Sequence, residues 1–294
     1  MLRVLSQIRS ESCFALKGGT AINFFIRDVP RLSVDIDLTY VPLDSRETAL
    51  RSIGDALARI TEALKSRLAT VRIQLSYRRG EPRHIAKVFI QTPAGQIKLE
   101  PNEVLRGTLF PVEEKRLVLH AEKLFELSLT VPVLALADLY GGKICAALDR
   151  QHPRDLFDVK ILLENEGLTD PIRKAFVVYL ASHDRPMHEL LEPARKDGRK
   201  IFESDFVGMT TASVSYDDLV QARETLIGKI QKELTAEERQ FLVSIKSGAP
   251  DWNLLGIEGI ERLPAIQWKL QNIGRMEKRK HGEAMKALKA CLGL

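Results

Sequence analysis

The chain has 294 residues, of which 45% are hydrophobic, 28% charged and 6% aromatic. That composition allows two ordinary domains and excludes a collagen-like, disulfide-scaffolded or wholly disordered chain. No window approaches the roughly 18 uninterrupted apolar residues of a spanning helix, and Arg3 and Arg9 precede no apolar block of the signal-peptide type. Cys13, Cys145 and Cys291 stand far apart in no metal-ligand spacing, which predicts reduced thiols and a cytoplasmic location. The formal charge of +5 resides in the tail: residues 261–294 hold eight Lys/Arg against three acids, leaving 36 of each before them. Clustered cations of this kind gain from releasing the counterions of nucleic acid, although a solvated charged helix has the same pattern.

In chain order, the apolar run 21–26 predicts a helix with Thr20 as its cap. Residues 33–41 alternate polar and apolar and predict a strand. Ala49, Leu50, Ile53, Leu57, Ile60 and Leu64 form a helical stripe within 44–69, with Pro42 and the cap candidate Asp44 at its start. Segments 71–79, 84–92 and 96–100 predict further strands, and the turn Pro93-Ala94-Gly95 makes 84–101 a hairpin. Helical periodicity dominates beyond Pro132, over 133–148, 155–165, 171–182, 216–247 and from 264 onward, with a loop at 192–215 and a connector at 248–259. The expected class is α+β: a head, 1–130, with a mixed β-sheet of at least four strands flanked by helices, and a mainly helical body, 131–294.

Chemistry concentrates in Lys17-Gly18-Gly19-Thr20 and Arg31-Leu32-Ser33-Val34-Asp35-Ile36-Asp37-Leu38. On a strand, Arg31, Ser33, Asp35 and Asp37 share one face while Leu32, Val34, Ile36 and Leu38 take the other. Two carboxylates held together repel unless a cation compensates them, and Mg²⁺ suits such a pair because it binds carboxylates and phosphate oxygens together. A solvated strand edge would carry the same pair without a metal. Gly18 and Gly19 permit close approach of backbone to a ligand.

These motifs resemble the nucleotidyltransferase superfamily that includes DNA polymerase β, and more narrowly the AbiEii/AbiGii toxin family. The resemblance implies a third carboxylate on a neighbouring strand. Glu100 is the candidate, since Lys98 and Glu100 share the face opposite Ile97 and Leu99; Glu103 and Glu81 are alternatives outside any alternating strand. The family pattern continues in Lys143 and Arg150, seven apart on one helix, followed by Arg154-Asp155-Leu156-Phe157-Asp158. Helix-dipole and i,i+4 pairing would also account for Asp155 and Asp158. Trp268 falls in a segment also similar to the family, where packing with Leu263, Leu270 and Ile273 is expected rather than the alternative role of a base-stacking platform. His152 is expected to be a loop residue rather than a general base.

By resemblance, Asp35, Asp37 and Glu100 hold two Mg²⁺ ions, and Gly18, Gly19, Thr20, Arg31, Ser33 and Lys143 bind the nucleotide. Asp35, Asp37, Glu100, Lys143 and Asp155 form the catalytic set, with Asp155 completing or organising the site. The implied activity is transfer of a nucleoside monophosphate from an NTP to RNA, with the tRNA 3′ end as acceptor, within a toxin–antitoxin or abortive-infection system in which a cognate antitoxin is the partner. The alternative acceptor is a small molecule or a protein hydroxyl.

Overall fold

The computed structural model describes every residue except Ala69, Arg79 and Ala94, and also leaves aside the side chains of Pro82 and Arg83. The expected end of the long helix at 69, the end of the second strand at 79 and the middle of the hairpin turn at 94 lie outside the described residues. The chain divides into two compact units, Met1–Ala135 and Leu136–Leu294.

The first unit runs α1 (Leu2–Ile8), β1 (Phe14–Lys17), α2 (Gly18–Ala21) continued by one wide helical turn (Ile22–Ile26), β2 (Asp35–Tyr40), α3 (Arg46–Arg67), β3 (Arg72–Arg78), β4 (Glu81–Thr92), β5 (Gly95–Asn102), β6 (Glu113–Arg116), α4 (Leu119–Phe125) and β7 (Thr130–Val133). The strands form one sheet in the order β3-β4-β5-β2-β1-β7-β6. It is mixed: β2 runs parallel to β5 and antiparallel to β1, and β1 runs parallel to β7. The β4–β5 hairpin forms as its turn signal predicts. The strands β1, β6 and β7 were not legible, because each is four residues long and carries too few alternations to register.

The predicted stripe of α3 is buried throughout, with Ala49, Leu57 and Leu64 fully enclosed. Burying each Leu or Ile of that stripe contributes roughly 1.5–3 kcal/mol. Its cap is Ser45 rather than Asp44: the Ser45 hydroxyl accepts from the Thr48 amide, while Asp44 accepts from the Tyr40 phenol at 2.5 Å.

The second unit is helical: α5 (Leu136–Arg150), α6 (Pro153–Asn165), α7 (Asp170–Ser182), α8 (Met187–Leu191), α9 (Arg199–Asp205), α10 (Tyr216–Glu233), α11 (Ala236–Ser247), α12 (Pro264–Gly274) and α13 (Lys278–Leu292). Capping boxes, Ser215 with Asp218 and Thr235 with Glu238, start α10 and α11 and split the single amphipathic run expected over 216–247. The segment expected to be loop contains α9, held by tilted ring contacts of Phe202 with Phe206 and Tyr216. Helices α5 and α7 pack with unusually little between them. A Cβ on Gly141 would come within 2.8 Å of the Ala175 carbonyl carbon, so only glycine permits that approach. Among the described residues no helix is long and apolar enough to cross a membrane.

Candidate active site

Both glycines of the diglycine turn are required by what lies against them. Gly18 has φ +72°, a left-handed conformation that favours glycine, and a Cβ there would fall 2.5 Å from Asp37 Oδ2. A Cβ on Gly19 would meet Arg31 Nη2 at 2.6 Å and Ser33 Oγ at 3.2 Å. The turn is therefore seated between the Asp37 carboxylate and the Arg31 guanidinium. Arg31 is buried and also donates to the Leu32 carbonyl at 2.7 Å. The Asn23 amide, which no motif drew attention to, donates to the Gly19 carbonyl at 2.8 Å.

Thr20 does not cap the helix. The helix starts two residues earlier, at Gly18, so the Thr20 side chain is buried inside it. Its hydroxyl donates to the Asp35 carbonyl and lies 2.9 Å from Ser33 Oγ, tying the turn to the head of β2. The strand itself begins at Asp35 rather than Ser33, because the chain before it wraps the turn instead of joining the ladder. Leu32 and Val34, expected to pack inward, are consequently exposed, whereas Ile36 and Leu38 are fully buried.

The register places Asp37 beside Glu100 and Asp35 beside Lys98 across the parallel β2–β5 pair, and Lys17 opposite Asp37 across β1–β2. Side chains of laterally paired residues leave the same face of a sheet. Asp35, Asp37 and Glu100 thus share one face, flanked by lysines. Glu100 Oε1 lies 2.5 Å from Lys87 Nζ, and Oε2 lies 2.8 Å from Lys98 Nζ. Burial alone would raise the Glu100 carboxyl, but hydrogen bonds from Lys87 and Lys98 outweigh it and hold the group below its ordinary value. Burial acts to lower Lys98, and the Glu100 hydrogen bond with the charges of Asp35, Glu100 and Asp37 reverses the sign and raises it. The alternative acids Glu81 and Glu103 pair instead with Arg78.

The donors on this face are hard carboxylate oxygens, as Mg²⁺ prefers, and Asp35 and Asp37 are partly open to solvent beside a turn that admits no side chain. Among the described residues, however, no three Asp, Glu, His or Cys side chains stand close enough together to hold one ion as they are arranged. At Glu100 both carboxylate oxygens are engaged by lysines.

The second unit brings its own candidates together in a buried cluster. Lys143 on α5 reaches Asp155 Oδ1 at 2.8 Å and Asp158 Oδ2 at 3.0 Å, both on α6. Arg150 closes the outer side, with Nε 2.6 Å from Asp155 Oδ2. Asp158, in the sequence only the spacing partner of Asp155, shares the Lys143 ammonium with it. Burial would raise the Asp155 carboxyl, yet the Lys143 ammonium and the Arg150 guanidinium drive it far below the usual carboxylate range. Pro153 and the His152 cap begin α6 here, His152 Nδ1 accepting from the Arg154 amide at 3.2 Å. Trp268 is not a packing anchor: it is 54% exposed, because α12 turns Ala265, Ile266 and Ile273 inward instead. The basic tail is broken between α12 and α13, and Lys278, Arg279, Lys280, Lys286 and Lys289 all stand exposed on α13.

Comparison with curated proteins finds no match. Among solved structures, the chain is similar to MenT4, a nucleotidyltransferase toxin from Mycobacterium tuberculosis H37Rv, with a TM-score of 0.58 and 18% identity over 97% of this chain and 89% of that one. At that identity the likeness is one of fold. The family model described as nucleotidyl transferase AbiEii toxin, type IV toxin–antitoxin system, matches residues 1–272. With a diglycine turn seated on Asp37 and a match over nearly its whole length, the chain belongs to the AbiEii family of nucleotidyltransferase toxins.

Proposed function

We propose that this toxin transfers a nucleoside monophosphate from an NTP to RNA, with the tRNA 3′ end as acceptor and pyrophosphate as leaving group, in the cytoplasm and under the control of a cognate antitoxin. The observation that carries the reading is the common face of Asp35, Asp37 and Glu100, with the Gly18 backbone set against the Asp37 carboxylate.

On this reading Asp35, Asp37 and Glu100 hold two Mg²⁺ ions, which would lower the pKa of the attacking hydroxyl and offset charge on the leaving pyrophosphate. Gly18 and Gly19 offer bare backbone to the phosphates. Thr20 and Ser33 keep that turn registered to β2, and Arg31 buttresses it from behind. Fixing the turn before the substrate arrives lowers the entropy lost when the triphosphate is aligned. Lys143 and Asp155, paired at 2.8 Å and enclosed with Asp158, act on this reading by fixing α5 on α6 rather than by touching the nucleotide. RNA rather than a small acceptor is favoured by the exposed cations of α13 and the exposed indole of Trp268, a combination suited to backbone charge and base stacking.

Incubation of the protein with labelled NTPs, Mg²⁺ and total tRNA is expected to label RNA. Asp37→Ala is expected to reduce labelling at least about 100-fold, the scale on which loss of a charge-stabilising group acts. Labelling by Asp37→Ala equal to that of the unaltered protein would refute the site, and label on protein or a small molecule alone would refute the acceptor.

A further inference from the structure

The acidic face of the sheet carries its own cations. Along one row across four strands, the register sets Lys17 of β1 beside Asp37 of β2, and Asp37 beside Glu100 of β5, whose carboxylate is held in turn by Lys87 of β4. In the neighbouring row Asp35 stands beside Lys98, and the Lys98 ammonium crosses to Glu100. Three carboxylates and three ammonium groups share this patch. Without the lysines, three like charges on one face would repel one another strongly.

The cations here are lysines, and that choice matters. An ammonium is a compact point charge on a flexible four-carbon stem, closer to a metal ion in form than the planar guanidinium is, and it can withdraw without rearranging its neighbours. Lys98 and Lys87 retain 31% and 40% of their side-chain exposure, so water is open to both. Withdrawal exchanges one solvated contact for another, at a cost typical of surface pairs.

We propose that Lys98 is a resident stand-in for a divalent cation. In the nucleotide-free protein it holds Glu100 on the Asp35–Asp37 face and keeps that face electrically balanced, and it releases Glu100 when a metal ion takes its place; Lys87 contributes the same effect more weakly. The inference rests on the reading of Asp35, Asp37 and Glu100 as metal ligands and adds a positioning residue that competes with the metal.

The test is divalent-ion binding to the nucleotide-free, full-length protein, with Mn²⁺ as the probe and calorimetry as the readout, so no turnover is involved. Lys98→Met, which keeps the stem and removes the charge, is expected to tighten Mn²⁺ binding about tenfold, the scale on which groups bonded to a ligand tune metal affinity. Lys98→Arg is expected to restore the weaker affinity, and Glu100→Gln combined with Lys98→Met to abolish the gain. Lys98→Gln serves as a second charge-removing variant should Lys98→Met prove poorly folded by circular dichroism. Unchanged or weaker Mn²⁺ binding in the folded charge-removing variants, a gain that survives Glu100→Gln, or no Mn²⁺ binding by any form would overturn the proposal. Such a result leaves the RNA-labelling outcome with Asp37→Ala standing on its own, so the failure of one is separable from the failure of the other.

Discussion

Two lysine–carboxylate clusters, one in each unit, use the same chemistry at different depths. In the first unit, Glu100, Lys98 and Lys87 keep between 29% and 40% of their side-chain surface in water. In the second, Lys143, Asp155 and Asp158 keep 7% or less. An ion pair that water can reach exchanges partners readily, whereas a buried one is committed, because losing either member strands a charge in a poor dielectric. The open cluster is suited to ions that come and go, and the closed one to holding α5 and α6 in a single arrangement.

The same substitution at the two sites sharpens this contrast most. Lys143→Met is expected to destabilise the protein by about 3–5 kcal/mol, since it leaves Asp155 and Asp158 buried without their shared cation. Lys98→Met is expected to change stability by less than about 1 kcal/mol. Urea denaturation of both variants measures this directly, and equal effects would break the contrast.

A smaller effect is expected at the turn. Gly18→Ala should lose about 1–2 kcal/mol from the left-handed backbone alone, with the added methyl forced onto the Asp37 carboxylate. Its RNA labelling should fall in parallel with Asp37→Ala while Gly142→Ala, at a helical position with open space around the Cβ, leaves labelling intact.

A further effect is a matter of pH. The folded-state value of Asp155 lies below its unfolded one, so its contribution is complete above about pH 5 and is lost as the pH falls through the depressed range. Asp155→Asn should therefore flatten the acid limb of the stability profile measured by urea midpoints between pH 2 and pH 7. An unchanged slope would mean that other carboxylates carry the acid sensitivity.

Much of the site could be read from the chain because its parts are local. The alternation around Asp35 and Asp37 needs only the period of a strand, and the Glu100 face follows from the same rule applied to β5. What could not be read is lateral. Nothing in the sequence pairs Lys17 with Asp37 or brings Lys87 to Glu100, since those neighbours come from the order of strands in the sheet. The Thr20 reading failed because a threonine after two glycines has the form of a cap, while the actual helix starts at the first glycine. Trp268 failed for a related reason: apolar spacing along α12 fits more than one inward face, and tertiary packing chose Ala265, Ile266 and Ile273.

The bare contact between Gly141 and Ala175 reaches beyond helix packing. With no side chain to act as a spacer, α5 lies directly against α7, two residues before Lys143. A methyl group at position 141 would push α5 away from α7 and carry the stem of Lys143 with it, disturbing a charge cluster without altering a single ionisable residue.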